Sequence, residues 1–402
     1  MKILVINSGS SSVKYKLIDT SDSRTLAEGG VEKIGHPDGF LKFKRPDGSK
    51  QIAELGHIDH KAAIRAILDN LTDAETGCIA GFDEIDAVGH RVVHGGEKFS
   101  ESVLIDKDVE AKIRECYDIA PLHNPANMTG IEAITALMPD VPQVAVFDTA
   151  FHQTMPAKSF MYALPYKYYE EDGVRRYGFH GTSHRYVSQR VCEFLGVDIS
   201  KQKIVTCHIG NGGSITAVDG GRSVDTSMGL TPVEGLMMGT RVGDVDPGAL
   251  TFLMIKHGLS ASELQTIINK ESGVLGVSGL SNDMREIEAA VKAGDPRATL
   301  ALDMYEQRII KYVGAYAAEM GGLDIIVFTG GVGENQTGVR ENVCKPLAFM
   351  GVEVDKAVND GVRGEEAVIS TAASRVKVCV IPTDEELMIA RDTEDIVSKL
   401  DK

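Results

Sequence analysis

The sequence predicts an α/β protein built from two related halves. An apolar run from Ile3 enters the polar turn NSGSSS and then an alternating segment; from Ile204 the pattern returns as IVTC, HIGNGG and SITAVDG. Ile3 and Ile204 are 201 residues apart in a chain of 402, so the offset equals half the length. Each copy is typical of a β-hairpin. Segments with helical spacing separate the other predicted strands, which gives the α/β class.

The first half follows its hairpin with strands and then with alternating helices and strands. Weak alternation predicts more antiparallel strands, and Pro125 suits the first position of a helix. The predicted elements are strands within 20–56, a helix over 60–71, a strand from 86, a helix from Asp106 to about Tyr117, a helix from Asn124, and a strand over 141–148.

The second half contains the longest helical signal, with an apolar stripe of Leu302, Tyr305, Ile309, Tyr312, Val313 and Tyr316. Ser260 with Glu263, and Thr383 with Glu386, have the spacing of a capping box at a helix start. The predicted elements are a helix over 183–195, the hairpin at 204–218, helices after Pro247 and Ser260, a helix over 297–320, a strand over 324–328, a glycine turn at 329–335, a strand over 377–381, and a final helix to about Leu400.

The net charge limits the kind of partner. The chain carries 42 Lys and Arg against 58 Asp and Glu, a formal charge of -16. This charge repels nucleic acid and anionic membranes, so an anionic ligand must be held by local Arg, Lys, Mg²⁺ or backbone dipoles. We therefore expect small-molecule ligands, and neither a nucleic-acid nor a membrane partner.

The six cysteines lie far apart, without a C-x-x-C pair or zinc-like spacing. This spacing predicts free, buried thiols. The apolar run after Lys2 is too short for a signal peptide core, and no stretch approaches the length of a membrane span. We expect a reducing, cytoplasmic setting.

Three glycine-rich turns follow apolar strands, at 7–12, 208–213 and 329–335. One such turn alone is ordinary, but three favour phosphate binding, because backbone N–H groups and hydroxyls at a turn suit phosphate oxygens. The first two turns continue as strands, which disfavours a Rossmann motif, and the sequence has neither a Walker A loop nor the protein-kinase signatures. Two phosphate hairpins, one in each half, predict two related domains that bind a polyphosphate.

Two arginines and one aspartate are candidates for the chemistry. Arg91 and Arg241 lie in turn-rich, otherwise apolar segments, where a guanidinium group suits a carboxylate or a phosphoryl group; an ordinary salt bridge is the alternative. Asp148 ends a buried strand, where α/β folds commonly place catalytic groups, although a helix cap or an ion pair would also fit. A carboxylate substrate is already ionised at neutral pH, so a simple proton-abstracting role for Asp148 is disfavoured.

Three histidines, His123, His180 and His208, neighbour Gly, Asn or Pro turns. Their spacing does not predict a zinc site. A hydrogen-bonded structural role is the ordinary interpretation of each, and donation to a planar phosphoryl group in transfer is the functional one.

Longer motifs along the whole chain resemble the acetate kinase family. They are NSGSSSVK (7–14), GHRVVHGGEKF (89–99), PLHNP (121–125), FDTAFH (147–152), YGFHGTSH (177–184), HIGNGGS (208–214), DTSMGLTPVEGLMMGTRVGDVDPG (225–248) and FTGGVGEN (328–335). The resemblance implies a duplicated ribonuclease H-like ATPase fold of the actin/hexokinase/Hsp70 type, with two domains around a nucleotide cleft. The implied domains are 1–150, joined by the C-terminal helix 385–402, and 151–384, which carries the adenosine-binding site.

The resemblance also implies the reaction and the roles of residues in it. The γ-phosphoryl group of ATP would pass reversibly and directly to acetate, giving acetyl phosphate and ADP, with Mg²⁺ required and Mn²⁺ as an alternative. Arg91 would hold the carboxylate, Arg241 the phosphoryl group in transit, and His180 would stabilise the transition state, with His123 a lesser candidate. Asp148 would orient Mg²⁺, water or Arg91.

By the same resemblance, Asn7 and Glu385 are the magnesium ligands, and Lys14 lies near the ATP phosphates. Two positions depart from the family pattern: Asp384 replaces Asn, and Met284 replaces Phe, although Met still packs against a purine. The implied nucleotide-binding set is Lys14, His208, Ile209, Gly210, Asn211, Gly212, Asp283, Met284, Arg285, Gly331, Val332, Gly333, Glu334 and Asn335.

An apolar pocket for the acetate methyl group is implied at Val93, Leu122, Phe179 and Pro232, which plain core packing would also explain. A propionate or butyrate kinase of the same family is an alternative, because one methylene changes discrimination by only about 1–3 kcal/mol. A nucleotide-driven binding module like actin or Hsp70 is a second alternative, and a sugar kinase is a third. The family further implies a homodimer formed through the C-terminal domains.

Overall fold

The computed structural model describes residues 1–44 and 48–400, and it confirms the mixture of strands and helices in both halves. The strands are β1 (Lys2–Ser8), β2 (Ser12–Asp19), β3 (Arg24–Glu32), β4 (Gly39–Lys44), β5 (Lys50–Gly56), β6 (Ala87–Val92), β7 (Val103–Leu104), β8 (Gln143–Phe147), β9 (Lys203–Ile209), β10 (Gly213–Asp219), β11 (Arg222–Thr226), β12 (Ile325–Thr329), β13 (Ala367–Val368) and β14 (Lys377–Val380).

The helices connect these strands. They are α1 (His60–Thr72), α2 (Lys107–Glu115), α3 (Asn124–Leu137), α4 (Ala157–Phe160), α5 (Lys167–Asp172), α6 (Gly181–Leu195), α7 (Pro247–His257), α8 (Ala261–Lys270), α9 (Gly273–Ser278), α10 (Met284–Lys292), α11 (Pro296–Glu319), α12 (Gly330–Asn335), α13 (Thr337–Cys344), α14 (Lys356–Gly361) and α15 (Glu385–Val397).

Two sheets share one topology, which is the structural form of the sequence repeat. The first has the order β5-β4-β3-β2-β1-β6-β8-β7 and the second β11-β10-β9-β12-β14-β13. In each sheet an antiparallel hairpin, β1–β2 or β9–β10, is followed by two parallel neighbours. Ile3 pairs with Ala87 and Ile204 with Ile325 in the two parallel ladders. The hairpin β4–β5 extends the first sheet alone.

The described residues form two compact units. The first comprises 1–150 with 384–400, and the second 151–383. In the first unit, Leu4, Leu17 and Val31 of the sheet share a fully buried core with Ile64 and Ile67 of α1. In the second unit, Val187 and Val191 of α6 pack on strand residues, among them Ile204 and Val327. The free cysteines are buried except for half-buried Cys78, much as the sequence predicts.

Local capping explains where several helices begin. Asp106 accepts a hydrogen bond from the N–H of Val109, and Ser260 forms the predicted capping box with Glu263. At the final helix the prediction is wrong, because Asp384 and not Thr383 caps α15, accepting from the N–H of Leu387 at 3.0 Å. The final residues of the predicted range 385–402, and residues 45–47 of the predicted strand region, lie outside the described residues.

The predicted glycine turn at 329–335 is also wrong, since residues 330–335 form the short helix α12. Gly330 has a φ of +77° at its start, and a Cβ there would lie 2.8 Å from the Ile209 carbonyl oxygen. The glycine therefore permits the chain to turn directly from β12 into a helix against β9.

The long helix α11 buries most of its predicted stripe, including Tyr305, Ile309, Val313 and Tyr316. It therefore belongs to the core of the second unit. Within residues 1–44 and 48–400, we find no helix with the length and apolar character needed to cross a membrane.

Glu306 of α11 is a carboxyl group buried in this core, and its ionisation is expected to reduce stability. It is 6% exposed and accepts a hydrogen bond from Asn342 at 3.0 Å; burial, with smaller effects of Asp303 and Glu288, raises its pKa to about 7. Because the folded pKa lies above the unfolded one, the protonated form contributes stability at low pH, which is lost as the pH rises through 7.

We therefore expect Glu306→Gln, which keeps the acceptor for Asn342, to raise the free energy of unfolding by about 2 kcal/mol at pH 8 and by much less at pH 5. Urea unfolding at the two pH values measures this, with exposed Glu365→Gln as control. An equal effect of Glu306→Gln at both pH values would contradict the titration of Glu306.

Candidate active site

Arg91 and Asp148 form an ion pair in the first unit. The parallel strands β6 and β8 place them together, because Arg91 aligns with Val146 and Asp148 comes directly after β8. Arg91 donates from Nε to Oδ1 at 2.9 Å and from Nη2 to Oδ2 at 2.6 Å. Asp148 is 1% exposed, and its charge raises the pKa of Arg91. The bidentate bond fixes the plane of the guanidinium group, while 24% of the Arg91 side chain stays exposed.

Glu385 begins α15 in the same unit, where the helix packs against β1, β6 and β8. The pKa of Glu385 is raised to about 7, chiefly by burial; Arg91 opposes this rise, and the charges of Asp148, Glu386 and Asp384 add to it. Asn7 is half-buried in β1, just before the first turn. Asp384 is occupied as the helix cap and as a partner of Lys16 at 3.2 Å.

His180 directly precedes α6 in the second unit as its cap residue, with a left-handed backbone, φ +57°, which is uncommon for a residue other than glycine. Its Nδ1 is 2.9 Å from the Ser214 hydroxyl, which is 2.7 Å from Nε2 of His184. Nδ1 of His184 is 2.7 Å from the Thr206 hydroxyl. Burial lowers the pKa of His184 well below its usual value, so this ring is neutral. The network holds the His180 ring in one orientation.

His208 stacks on His180, with ring centroids 4.3 Å apart. It lies in β9 opposite Ser214 in the hairpin, and its Nδ1 is 2.7 Å from the Ser183 hydroxyl. Ser183 contacts Thr383 at 2.8 Å. Two of the three predicted histidines, His180 and His208, thus share one site beside the second hairpin.

Arg241 reaches the same turn. A Cβ on Gly212 would lie 3.2 Å from Nη1 of Arg241 and 3.9 Å from Cε1 of His180, so both groups converge on this glycine. Nη1 donates to the Pro232 carbonyl at 3.2 Å, and no described carboxylate pairs with Arg241. Burial lowers its pKa from the ordinary value. A half-buried cation without a carboxylate partner among the described residues is a site suited to an anion.

A cavity of about 690 Å³ lies beside the second turn. Met284 is 5% exposed in its wall, and the hydrogen bonds of Arg285 lower the pKa of Asp283 to about 2. The lining residues are Gly210, Asn211, Asn282, Asp283, Met284, Arg285, Gly331, Val332, Asn335 and Gln336. Eight of these ten belong to the predicted nucleotide set.

Other members of the predicted set do not line this cavity. Glu334 turns away and accepts hydrogen bonds from the N–H groups of Gly330 at 2.8 Å and Thr383 at 3.2 Å. Lys14 is exposed on β2 in the first unit. The remaining members outside the lining are His208, Ile209, Gly212 and Gly333.

The four residues of the predicted methyl pocket are divided between the units. Val93 is 9% exposed and Leu122 is 69% exposed in the first unit. Phe179, 3% exposed, and Pro232 belong to the second unit, next to His180 and Arg241 respectively. His123 precedes α3 as its cap residue.

Several residues that shape the site gave no signal in the sequence analysis. Asn282 donates to Asn211 at 2.9 Å, and Gln336 directly follows the GVGEN motif. Arg340 is fully buried under α12, and Asn127 is buried in α3. Among these residues, Gln336 could have been found from the sequence, because it lies next to a recognised motif.

Known proteins resemble this chain over nearly its whole length. The model of the acetokinase family matches residues 2–391. The acetate kinase of Parabacteroides distasonis is 62% identical over 99% of this chain and 100% of its own length. The crystal structure of Porphyromonas gingivalis acetate kinase superposes with a TM-score of 0.96 at 60% identity, covering 98% of this chain and 99% of that one. A propionate kinase structure from Francisella tularensis gives 0.92 at 42% identity with the same coverage.

Fold and site together define a kinase with the duplicated ribonuclease H-like ATPase fold, which confirms the predicted fold class. Within that class, the chain belongs to the acetokinase family.

Proposed function

We propose that this chain transfers the γ-phosphoryl group of ATP to acetate, reversibly and with Mg²⁺, giving acetyl phosphate and ADP. Membership of the acetokinase family and about 60% identity to acetate kinases over the full length support this reaction. The observation that carries the site assignment is the half-buried Arg241, which lacks a carboxylate partner among the described residues and meets His180 at Gly212.

The roles follow from chemistry. Acetate is ionised at neutral pH, so its oxygen attacks the γ-phosphorus without a general base, and the bond to the ADP oxygen breaks with its electron pair going to ADP. Arg91, held by Asp148, orients the acetate carboxylate. Arg241 and His180 donate to the equatorial oxygens of the phosphoryl group as it moves. The cavity lined by Met284 and Val332 holds the adenosine.

Asn7 and Glu385 would hold Mg²⁺ in the first unit. The residues fit the ion, because the raised pKa of Glu385 reflects burial and neighbouring carboxylates, which a cation would offset. Within the described part of the chain, no three His, Cys, Asp or Glu side chains cluster as a metal cage. Magnesium commonly keeps several waters and uses one or two carboxylates with substrate phosphates. When bound, the ion would neutralise charge on the phosphate oxygens.

We further propose that the two units are the two ATPase domains of the family, that the chain works in the cytoplasm, and that it forms a homodimer. Free thiols fit a reducing compartment. Helix α7 supports the dimer, since it is apolar yet none of its residues is buried, and Phe252 and Ile255 are 58% and 85% exposed. Sedimentation equilibrium tests the proposed dimer. A mass equal to that of one chain, 43.3 kDa, would indicate a monomer, and twice that mass a dimer.

The decisive test is formation of acyl phosphate from ATP, trapped with hydroxylamine. We expect acetate to give the strongest signal among acetate, propionate, butyrate, a hexose and no acceptor. Arg91→Ala should lower kcat/KM for acetate at least about a hundredfold, and Arg91→Lys nearly as much, because lysine cannot bind a carboxylate through a planar fork. Exposed Arg24→Ala serves as control.

Three outcomes would contradict this proposal. A stronger signal with propionate or butyrate would favour a propionate or butyrate kinase. The Francisella tularensis structure is an example of a propionate kinase. Phosphorylation of the hexose would favour a sugar kinase. ATP hydrolysis without acyl phosphate from any acid would favour a nucleotide-driven binding module.

A further inference from the structure

The inner face of α3 carries two fully buried amides. Asn124 is 0% and Asn127 is 2% exposed. An amide that is removed from water must find hydrogen-bond partners inside the protein, because each buried group left without a partner costs about 1–3 kcal/mol. The bonds of these two side chains lead to the segments that hold the proposed substrate groups.

Asn127 joins two separate segments of the first unit. Its Oδ1 accepts from the N–H of Val93 at 3.0 Å, and its Nδ2 donates to the carbonyl oxygen of Ser8 at 2.7 Å. Because Val93 offers an N–H and Ser8 a C=O, one orientation of the amide satisfies both bonds. Val93 follows Arg91 by two residues, and Ser8 follows Asn7 as the last residue of β1, where the chain enters the first phosphate turn.

Helix α3 also lies unusually close to the first turn. Gly130, nearly one helical turn after Asn127, has no room for a side chain, since a Cβ there would lie 2.9 Å from Cβ of Ser8. This close approach puts the backbone of the turn within reach of a short asparagine side chain. The helix therefore sets the position of the turn by direct contact.

Both of the Asn124 hydrogen bonds described here go to His94, in the segment that follows Arg91. Asn124 accepts from the N–H of His94 at 3.1 Å and donates to its carbonyl oxygen at 2.9 Å. The next amide, of Gly95, donates to the Thr149 hydroxyl at 3.0 Å. Side chains thus fix successive backbone groups of the irregular segment after β6, and Asn127 alone of these connects that segment to the phosphate turn.

We propose that Asn127 is a positioning residue that fixes the spacing between the carboxylate-holding segment 91–93 and the turn 8–12. This inference rests on the proposed function of those two segments. In-line transfer requires the acetate oxygen and the phosphoryl group to be held in register, and a misplacement of about 1 Å costs on the order of a hundredfold in rate. One rigid amide extends the register that the β1–β6 ladder sets as far as Ile6 and His90, and it does so without touching either substrate.

The test compares Asn127→Asp with Asn124→Asp. Each change keeps the size of the side chain and its accepting oxygen. Each also replaces the NH₂ group, which donates to a backbone carbonyl oxygen, by a carboxylate oxygen that cannot donate and repels that carbonyl. Asn127→Asp breaks the hydrogen bond to the carbonyl oxygen of Ser8, whereas Asn124→Asp breaks the hydrogen bond to the carbonyl oxygen of His94, in the segment that follows Arg91. We expect Asn127→Asp to lower kcat about 10- to 100-fold with less than about a threefold change in the acetate KM. Asn124→Asp should chiefly raise the acetate KM.

Hydrogen exchange followed by mass spectrometry gives a second readout, independent of activity. Asn127→Asp should accelerate exchange in both 8–12 and 93–96, and Asn124→Asp in 93–96 alone. Identical kinetic losses in the two variants, or unchanged exchange in 8–12 for Asn127→Asp, would overturn the positioning role. If the unaltered chain makes no acyl phosphate, the proposed function fails instead, and the exchange pattern alone decides whether Asn127 couples the segments.

Discussion

Arg241→Met is expected to lower kcat about a thousandfold, the scale at which a guanidinium group stabilises a phosphoryl group in transfer. The same change is expected to leave the free energy of unfolding unchanged or to raise it. Arg241 is desolvated, its pKa is lowered by burial, and no described carboxylate compensates its charge. Removing such a cation relieves an unfavourable burial while it removes the group that attracts the phosphoryl oxygens.

Single-turnover kinetics with acetate and ATP, together with urea unfolding, would measure the two effects on one sample. Arg222→Met is the matched control, because Arg222 is exposed on β11 and lies outside the proposed site. A loss of activity that matches a loss of stability would contradict the proposed role, since it would mean that Arg241 is a structural cation. Arg241→Lys should recover little activity, because an ammonium group cannot present two parallel donors.

The parts of the fold that could be predicted from the sequence are those with local signals. The hairpin turns, the strand before Asp148 and the capping box at Ser260 depend on residues within a few positions of each other, so their patterns are legible in one dimension. The repeat of the pattern from Ile3 at Ile204 predicted two related halves, and the two sheets do share one topology. The fold class and the family are confirmed, while the roles of the individual site residues stay predictions.

The elements that were wrong have competing local signals. Residues 329–335 contain four residues that also suit a tight turn, and the helix forms because Glu334 accepts the N–H of Gly330 and Arg340 binds the carbonyls at the other end. At α15, Thr383 and Asp384 both suit a cap, and Asp384 prevails. Thr383 instead contacts Ser183 and Glu334.

Contacts between distant segments were not predictable from the sequence at all. Asn127 bonds Ser8 across 119 positions, and Ser8 and Val93 offer only backbone groups, which leave no trace in residue type. A buried asparagine in a helix gives no pattern that distinguishes it from an exposed one. Arg340 is a similar case, because all but one of its hydrogen bonds go to backbone carbonyls.

Arg340→Met is expected to destabilise the second unit by at least about 3 kcal/mol, because it leaves several buried carbonyl groups without donors. Arg340 is 0% exposed and donates to the carbonyl oxygens of Gly333, Glu334, Asn359 and Val362 and to Oδ1 of Asn359, at distances of 2.8 to 3.1 Å. Burial lowers its pKa to about 10, so it stays charged at neutral pH. Methionine fills much of the volume but supplies no donor.

The effect should reach the nucleotide site, since two of those carbonyls belong to α12, whose Gly331 and Val332 line the cavity. We expect Arg340→Met to lose ADP affinity as well as stability, measured by calorimetry below the unfolding transition and by urea unfolding. Arg363→Met is the control, because Arg363 also donates to two backbone carbonyls but is exposed, and such a change costs less than about 0.5 kcal/mol. Equal stability of the two variants would show that water replaces the Arg340 donors, and α12 would then owe its position to the packing of β12 alone.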